Sequence, residues 1–218
     1  MPDRRPRPVT TPLQRQLASA AARRPTALDA FRLARRTFQA GDRVDMQALA
    51  RTLGVDRATL YRWVGSRERL LSEILWSLVQ PTIGNLRKSH DDAAGAETAA
   101  ATPGGQSPAA AIIIGTVRAV IANTGMRAFV DREGDLALRL LTTKASDFET
   151  RLTALVGEVL DAEAAGGRLQ ATIPTEDLSY VVVRVMESYI YLPLITGEPP
   201  DPSRAARVIS ALLPARLG

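Results

Sequence analysis

Between Met46 and Leu71 the apolar residues Leu49, Leu53, Val55, Leu60 and Val64 recur at helical spacing. That spacing predicts two short helices joined by a tight turn, followed by the start of a third. Gly54 falls where the first must stop, and Asp56 offers a carboxylate to the free amides that open the second. With its apolar face committed inward, the second helix turns Arg57, Thr59, Tyr61, Arg62 and Trp63 outward. Those are the side chains of a DNA-reading helix in a helix-turn-helix. Upstream, Thr26-Ala-Leu-Asp29 reads as a capping box, opening a helix with Ala27, Phe31, Ala34 and Phe38 on one face. Gly41 ends that helix and Asp45 caps the next.

Ser66 caps a fourth helix, whose Leu70, Leu71, Ile74, Leu75 and Leu78 run towards Pro81, so its expected end is near Gln80. From Lys88 to Pro108 the chain turns to alanine, glycine, serine and acid, with Gly104-Gly105 inside it, and reads as a long connection. Ser107-Pro108 then opens a helix carrying Ile112, Ile113, Ile114, Val117 and Ile121. Two shorter helices are expected within Met126–Asp131 and Asp135–Lys144. Ser146 starts a longer one with Phe148, Leu152, Leu155 and Val159, stopped by Gly166-Gly167. After Pro174-Thr175, one stripe holds Leu178, Val181, Val182, Val185, Tyr189 and Leu192, and a second holds Val183, Met186 and Ile190. A helix apolar on two sides is buried on two sides. Pro193 bends or ends it, and Ser203 to Leu213 forms a last short helix. Strand signals are nearly missing, so the expected fold class is all-α.

The helix-turn-helix stretch resembles the TetR family of transcriptional regulators. The resemblance rests on Ala48-Leu49-Ala50, Leu53-Gly54-Val55, Thr59-Leu60-Tyr61, Arg62-Trp63-Val64, and a basic Arg67 followed by Leu70-Leu71. The Leu60-Tyr61 pair followed by Ser66-Arg67-x-x-Leu70 is specific as short motifs go. Trp63 stands where the family usually has histidine, and the rest of the chain matches only in length and helicity. The resemblance implies a TetR-like architecture, with DNA contacts from Gln47, Arg57, Ala58, Thr59, Tyr61, Arg62, Trp63 and Arg67. It also implies a homodimer, formed as a four-helix bundle from the helices at about 146–166 and 175–195. Small residues (Ala154, Gly157, Ala162, Ala164, Ala165) would let the first approach its partner closely; the alternative is that both helices complete the monomer's core. A narrower likeness joins Tyr61–Leu71 and Tyr180–Leu194 to actinobacterial regulators of quorum-quenching lactone degradation. It implies a γ-lactone or acyl-homoserine lactone effector and control of lactone catabolism.

Charge sharpens the division of the chain. Residues 1–70 hold 15 Lys/Arg and 6 Asp/Glu, a net +9, while residues 71–218 hold 13 and 17, a net −4. A basic first third on an acidic remainder fits a nucleic-acid head on a body that avoids DNA. The expected domains are a basic arm and short helix at 1–24, a DNA-binding head at 25–70, and an effector-binding, dimerising body at 71–218. In the arm, Arg4, Arg5 and Arg7 would enter a minor groove or merely add diffuse attraction, and Leu13 to Ala22 would form the short helix. The start has no apolar region behind its arginines and reads as no signal peptide. The most apolar segment, Val181 to Ile195, is broken by Arg184 and Glu187, so no membrane span is expected and the protein reads as cytoplasmic.

Much chemistry is excluded. Without cysteine there is no disulfide, thiolate nucleophile or cysteine-held zinc. The single histidine, His90, lies in a polar stretch unsuited to a serine–histidine–carboxylate triad. Asp131/Glu133/Asp135 and Asp161/Glu163 are spaced to point to different sides of a helix, which suits capping and solvation, and no phosphate loop is present. No catalytic residue, metal or cofactor is assigned, and no enzyme is expected. What the body offers is an apolar cavity for a small effector. Trp76, Ile113, Val117, Phe129, Phe148, Leu152, Met186 and Tyr189 are the candidate lining; Arg118, Asn123, Tyr180 and Tyr189 would orient a neutral ester, lactone or ketone. For each apolar residue the alternative is plain core. The reading is a ligand-released repressor binding an inverted-repeat operator. Its rivals are a ligand-blind architectural DNA-binding protein and a helical hydrolase or small-molecule-binding protein with a vestigial head.

Overall fold

Several helices open on side-chain caps that the sequence supplies locally. In the computed structural model, which describes residues 11–14, 24–96, 106–143 and 146–216, α1 (Ala27–Gln39) begins at a full capping box. Asp29 N–H donates to Thr26 Oγ1 at 3.3 Å and Thr26 N–H donates to Asp29 Oδ2 at 2.9 Å. α2 (Met46–Leu53) is capped by Asp45, whose Oδ1 accepts from Ala48 N–H at 2.7 Å. Gly54 then turns the chain at φ +67, a left-handed conformation that a Cβ would strain, and α3 (Arg57–Val64) follows. Ala30, Ala34, Phe38, Leu49 and Leu60 meet in the core of this three-helix head; Ala27 is exposed, and Ala30 takes its expected inward place. Arg4, Arg5, Arg7, most of the Leu13–Ala22 segment and Gly104-Gly105 lie outside the described residues.

The largest correction concerns α4, which runs from Arg67 to Ala96 and passes straight through Pro81. The expected stop near Gln80 and the expected connection from Lys88 are both helix as far as Ala96. A proline inside a helix removes one ladder hydrogen bond and costs roughly 3 kcal/mol. Here its ring lies on the exposed side, while Ile83, one turn on, is buried and Leu86 packs on α5 (Pro108–Ala122). The two helices approach closely because Gly115 has no side chain: a Cβ there would stand 3.0 Å from both Leu86 methyl groups. Tertiary packing outweighs the local penalty.

α6 (Thr124–Thr142) is capped by Asn123 and broken by non-helical dihedrals at Glu133, which accounts for the two shorter helices read from sequence. α7 (Phe148–Ala165) and α8 (Thr175–Ile190) pack side by side, and a short α9 (Leu192–Ile195) follows Tyr191. α10 (Pro202–Leu212) returns against α5, where the buried Ser107 Oγ donates to Leu213 O at 2.7 Å. α8 buries Leu178, Val182, Val183 and Met186; Val181, expected inside, is exposed, because the outer side of the helix has no neighbour within the chain. Among the described residues there is no strand, only two isolated bridges, and no single helix is long and apolar enough to cross a membrane.

Candidate nucleic-acid interface and effector cavity

α3 presents one polar face, fixed from its first turn. Asp56 Oδ1 accepts from Thr59 N–H at 2.7 Å and its Oδ2 accepts from Thr59 Oγ1 at 2.9 Å. These bonds, the backbone one foremost, hold the Asp56 carboxyl below its usual range despite full exposure. Thr59 Oγ1 accepts in turn from Arg62 Nη2 at 3.3 Å, so its hydroxyl is engaged within the helix. Arg57, Ala58, Tyr61 and Arg62 are exposed, with the Arg57 guanidinium 5.8 Å from the centre of the Tyr61 ring. Gln47 is exposed on the neighbouring α2, and Trp63 is half-buried against the core of the head. The structure therefore gathers Gln47, Arg57, Ala58, Tyr61 and Arg62 on open surface, with Thr59 and Trp63 partly withdrawn.

Arg67 is placed elsewhere. Its Nε donates to Val44 O at 2.6 Å and its Nη2 to Glu133 Oε1 at 2.7 Å. The two side chains retain only 16% and 15% of their exposure. Its guanidinium is thus committed to a junction between head and body, where a phosphate contact was expected. Arg43 joins Glu133 at 3.6 Å, Arg132 donates to Gly41 O, and Phe38 meets Phe129 edge-on at 5.8 Å between centroids. Burial disfavours the ionised form of Glu133, but the Arg67 bond and charge, helped by Arg43, outweigh it and leave the carboxyl below its ordinary range. Gly125 completes the joint: a Cβ there would lie 2.2 Å from Phe38 O. Phe129, expected in the effector cavity, belongs to this junction instead, because α6 passes beneath α1 before it reaches the body's interior.

An apolar cavity opens between α4, α5, α6, α7 and α8. Of the expected lining, Phe148, Leu152 and Met186 reach it, as does Asn123. Leu75, Leu78, Val79 and Thr82 supply the α4 wall, and Ala119, Val120, Met126, Leu141 and Ile190 supply others. Glu187 and Tyr191 are buried members of the same lining. Ile113 and Val117 are fully packed core and do not line the cavity. Arg118 and Tyr180 are exposed, Tyr180 lying 5.3 Å from the Arg184 guanidinium, and Tyr189 is half-buried outside the cavity. Trp76 flanks the cavity, edge-on to Phe148 at 6.4 Å and covered by Arg151 at 4.2 Å. Arg184 and Glu187 do pair, at 3.1 Å, and Arg184 also reaches Glu149 Oε1 at 3.0 Å. Glu187 carried a usable signal, being an acid inside an apolar stripe; Tyr191 carried none, since only the end of α8 turns it inward.

The arrangement matches known proteins in sequence and in shape. The tetracyclin repressor-like C-terminal domain family matches residues 104–214. The transcriptional repressor QsdR of R. erythropolis, from the TetR family, superposes with a TM-score of 0.66 at 28% identity, covering 86% of this chain and 93% of that one. The TetR family repressor AlkX of Dietzia sp. strain DQ12-45-1b, implicated in biodegradation of n-alkanes, shares the fold at a TM-score of 0.55 and 23% identity, covering 86% of this chain and 93% of its own. No curated protein matches the sequence. A matched carboxyl-terminal domain over half the chain, behind a capped helix-turn-helix, places this protein in the TetR family of transcriptional regulators.

Proposed function

We propose that this protein is a ligand-released repressor that binds an inverted-repeat operator as a homodimer. Residues 25–70 would form the DNA-reading head, and residues 71–218 the effector-binding and dimerising body. Arg57 and Arg62 would read base edges from the major groove, with Gln47, Ala58, Thr59, Tyr61 and Trp63 completing the contact surface. Arg67 would act from beneath, by holding α4 to the head. The effector would be a small, largely apolar molecule, with a lactone the first class to examine given the resemblance of Tyr61–Leu71 and Tyr180–Leu194 to regulators of lactone degradation.

The observation that carries this reading is α4. Its first residue, Arg67, is bonded to Val44 of the head and Glu133 of the body at their junction, and three to four turns later Leu78, Val79 and Thr82 line the cavity. One helix thus runs from the head–body junction to the cavity wall. A ligand that spreads the cavity wall would tilt α4 and change the separation of two paired heads, and a shift of a few ångströms suffices at such joints. The fully packed core expected of a ligand-blind architectural protein is not what surrounds Phe148 and Met186. To reverse occupancy from 99:1, an effector must prefer the DNA-incompetent state by about 10⁴-fold.

Linkage supplies the test. Operator sequences are first selected from random duplex; effector affinity is then measured with and without saturating operator, beginning with γ-lactones. Operator should weaken effector binding by the same factor as effector weakens operator binding. A ligand whose affinity is indifferent to operator would reduce the body to a binding module without control of the head.

A further inference from the structure

Glu187 brings a carboxyl into a largely apolar cavity, and the charge around it is lopsided. Glu187 and Tyr191 stand one turn apart, both buried, and Asn123 lines the same cavity from the corner between α5 and α6. Asn123 uses its amide oxygen to accept from Met126 N–H at 2.9 Å, which leaves its NH₂ donors for the cavity. Each carboxylate oxygen of Glu187 faces one Arg184 nitrogen at 3.1 Å and retains a further lone pair. Arg184 cannot turn to greet a ligand, because it also donates to Glu149 Oε1 at 3.0 Å and to Thr142 O at 3.3 Å. Two carboxylates around one fixed guanidinium leave this region with an excess of negative charge in an apolar surrounding.

An anionic head group entering here would meet like charge, and the Arg184 charge beside it is already answered by Glu187 and Glu149. An alkylammonium would lose its hydration to walls of leucine, valine and phenylalanine, with Arg184 close behind the carboxylate it approached. An uncharged donor suffers neither penalty. Resting on the effector-cavity reading above, we propose that the effector is an apolar chain bearing an uncharged N–H donor beside a carbonyl, an amide, with its N–H donated to Glu187 and its carbonyl accepting from Asn123. Burial pushes the Glu187 carboxyl up to about 7, with Arg184 opposing and Glu149 reinforcing the shift. Above that pH it is an acceptor only, and below it the preference for an N–H head group fades. Tyr191 is also lifted by burial and remains a neutral phenol throughout.

The experiment uses the full-length protein at pH 8 and a medium-chain alkanamide, its methyl ester, its alkanoate and the matching alkylammonium. Binding is followed by calorimetry and by the fluorescence of Trp76, which abuts Phe148 on the cavity wall. The amide should bind at least about tenfold tighter than the ester, the contrast expected of a hydrogen bond to a charged acceptor. The alkanoate should bind more weakly than either, and lowering the pH to 6 should narrow both gaps. Glu187→Gln should shrink the amide's advantage and admit the alkanoate; if that variant fails to fold, the wild-type series and its pH dependence decide alone. Equal binding of amide and ester, or tighter binding of either ion, overturns the head-group assignment while leaving the cavity intact. If none of the four binds, the amide assignment fails, and the effector-cavity reading is judged by the lactone series alone.

Discussion

Arg57 and Arg62 are the side chains on which sequence discrimination is expected to rest, because both are exposed on α3 while Asp56 and Thr59 fix the helix start beneath them. Arginine can donate two hydrogen bonds to one guanine, worth roughly 1–3 kcal/mol of discrimination. Arg57→Ala should therefore flatten the ratio of operator to random-duplex affinity by that amount, read by gel shift at fixed salt. An equal loss on both duplexes would make Arg57 a phosphate contact. Glu133 is the residue on which the junction depends, since it alone answers both Arg67 and Arg43 there. Glu133→Gln leaves a largely buried guanidinium without its counter-charge, and should destabilise the fold by about 1–3 kcal/mol. Because the Glu133 carboxyl is lowered in the fold, its contribution is present above the unfolded carboxylate pKa and is lost as pH falls through the folded one. The wild type should thus lose its advantage in melting temperature over the variant as the solution is acidified below about pH 4. A gap that stays constant across that range would show that the pair contributes packing and not charge.

Among the elements, α4 and α6 divide the work of connecting head to body. α4 is a single helix because Ile83 and Leu86 hold it to α5 beyond Pro81. α6 is broken at Glu133, so its first half can lie under α1 while its second half turns towards α7. The contact under α1 is backbone on backbone, with no room for even a methyl group at Gly125. Gly125→Ala must push Phe38 and α1 away, and overpacking of this kind typically costs about 1–3 kcal/mol. The expected result is a lower melting temperature with weakened operator binding, while the cavity still takes its ligand. Unchanged melting and unchanged operator affinity would mean that the joint is looser than drawn here.

At the scale of the whole molecule, the proposed homodimer needs a face on which two copies can meet. The outer sides of α7 and α8 carry small or apolar exposed groups, Ala154 on one and Tyr180 and Val181 on the other, where the chain itself offers no cover. If this face joins two copies, Val181→Asp should yield monomers by analytical ultracentrifugation without unfolding them, because Val181 is not part of the subunit's own core. The wild type should protect two half-sites about 34–36 Å apart or a multiple of it. A Val181→Asp protein that remains a dimer would move the interface to another face.

The sequence by itself determined the local structure of this protein. Caps at Thr26, Asp45, Asp56, Ser107 and Asn123, together with the spacing of Leu49, Leu60, Phe148 and Met186, are short-range signals, and the helices begin and bury where those signals put them. The exposed residues of α3 were legible for the same reason: a helix with one apolar face leaves its other residues outside. What lies between helices was not legible. Pro81 argues locally for a stop, and only the surface of α5 makes continuation cheaper than breaking. Arg67 looks in sequence like any basic residue near DNA, and only Val44 O and Glu133, sixty-six residues on, draw it into the junction. The cavity was half read, through Phe148, Leu152 and Met186, because apolar periodicity marks what is buried without distinguishing a packed interior from a lined space. Whether a buried face meets another helix or an opening depends on how five helices cross, and that was decided by tertiary structure, which gave the cavity Glu187 and Tyr191 and left Ile113, Val117 and Phe129 elsewhere.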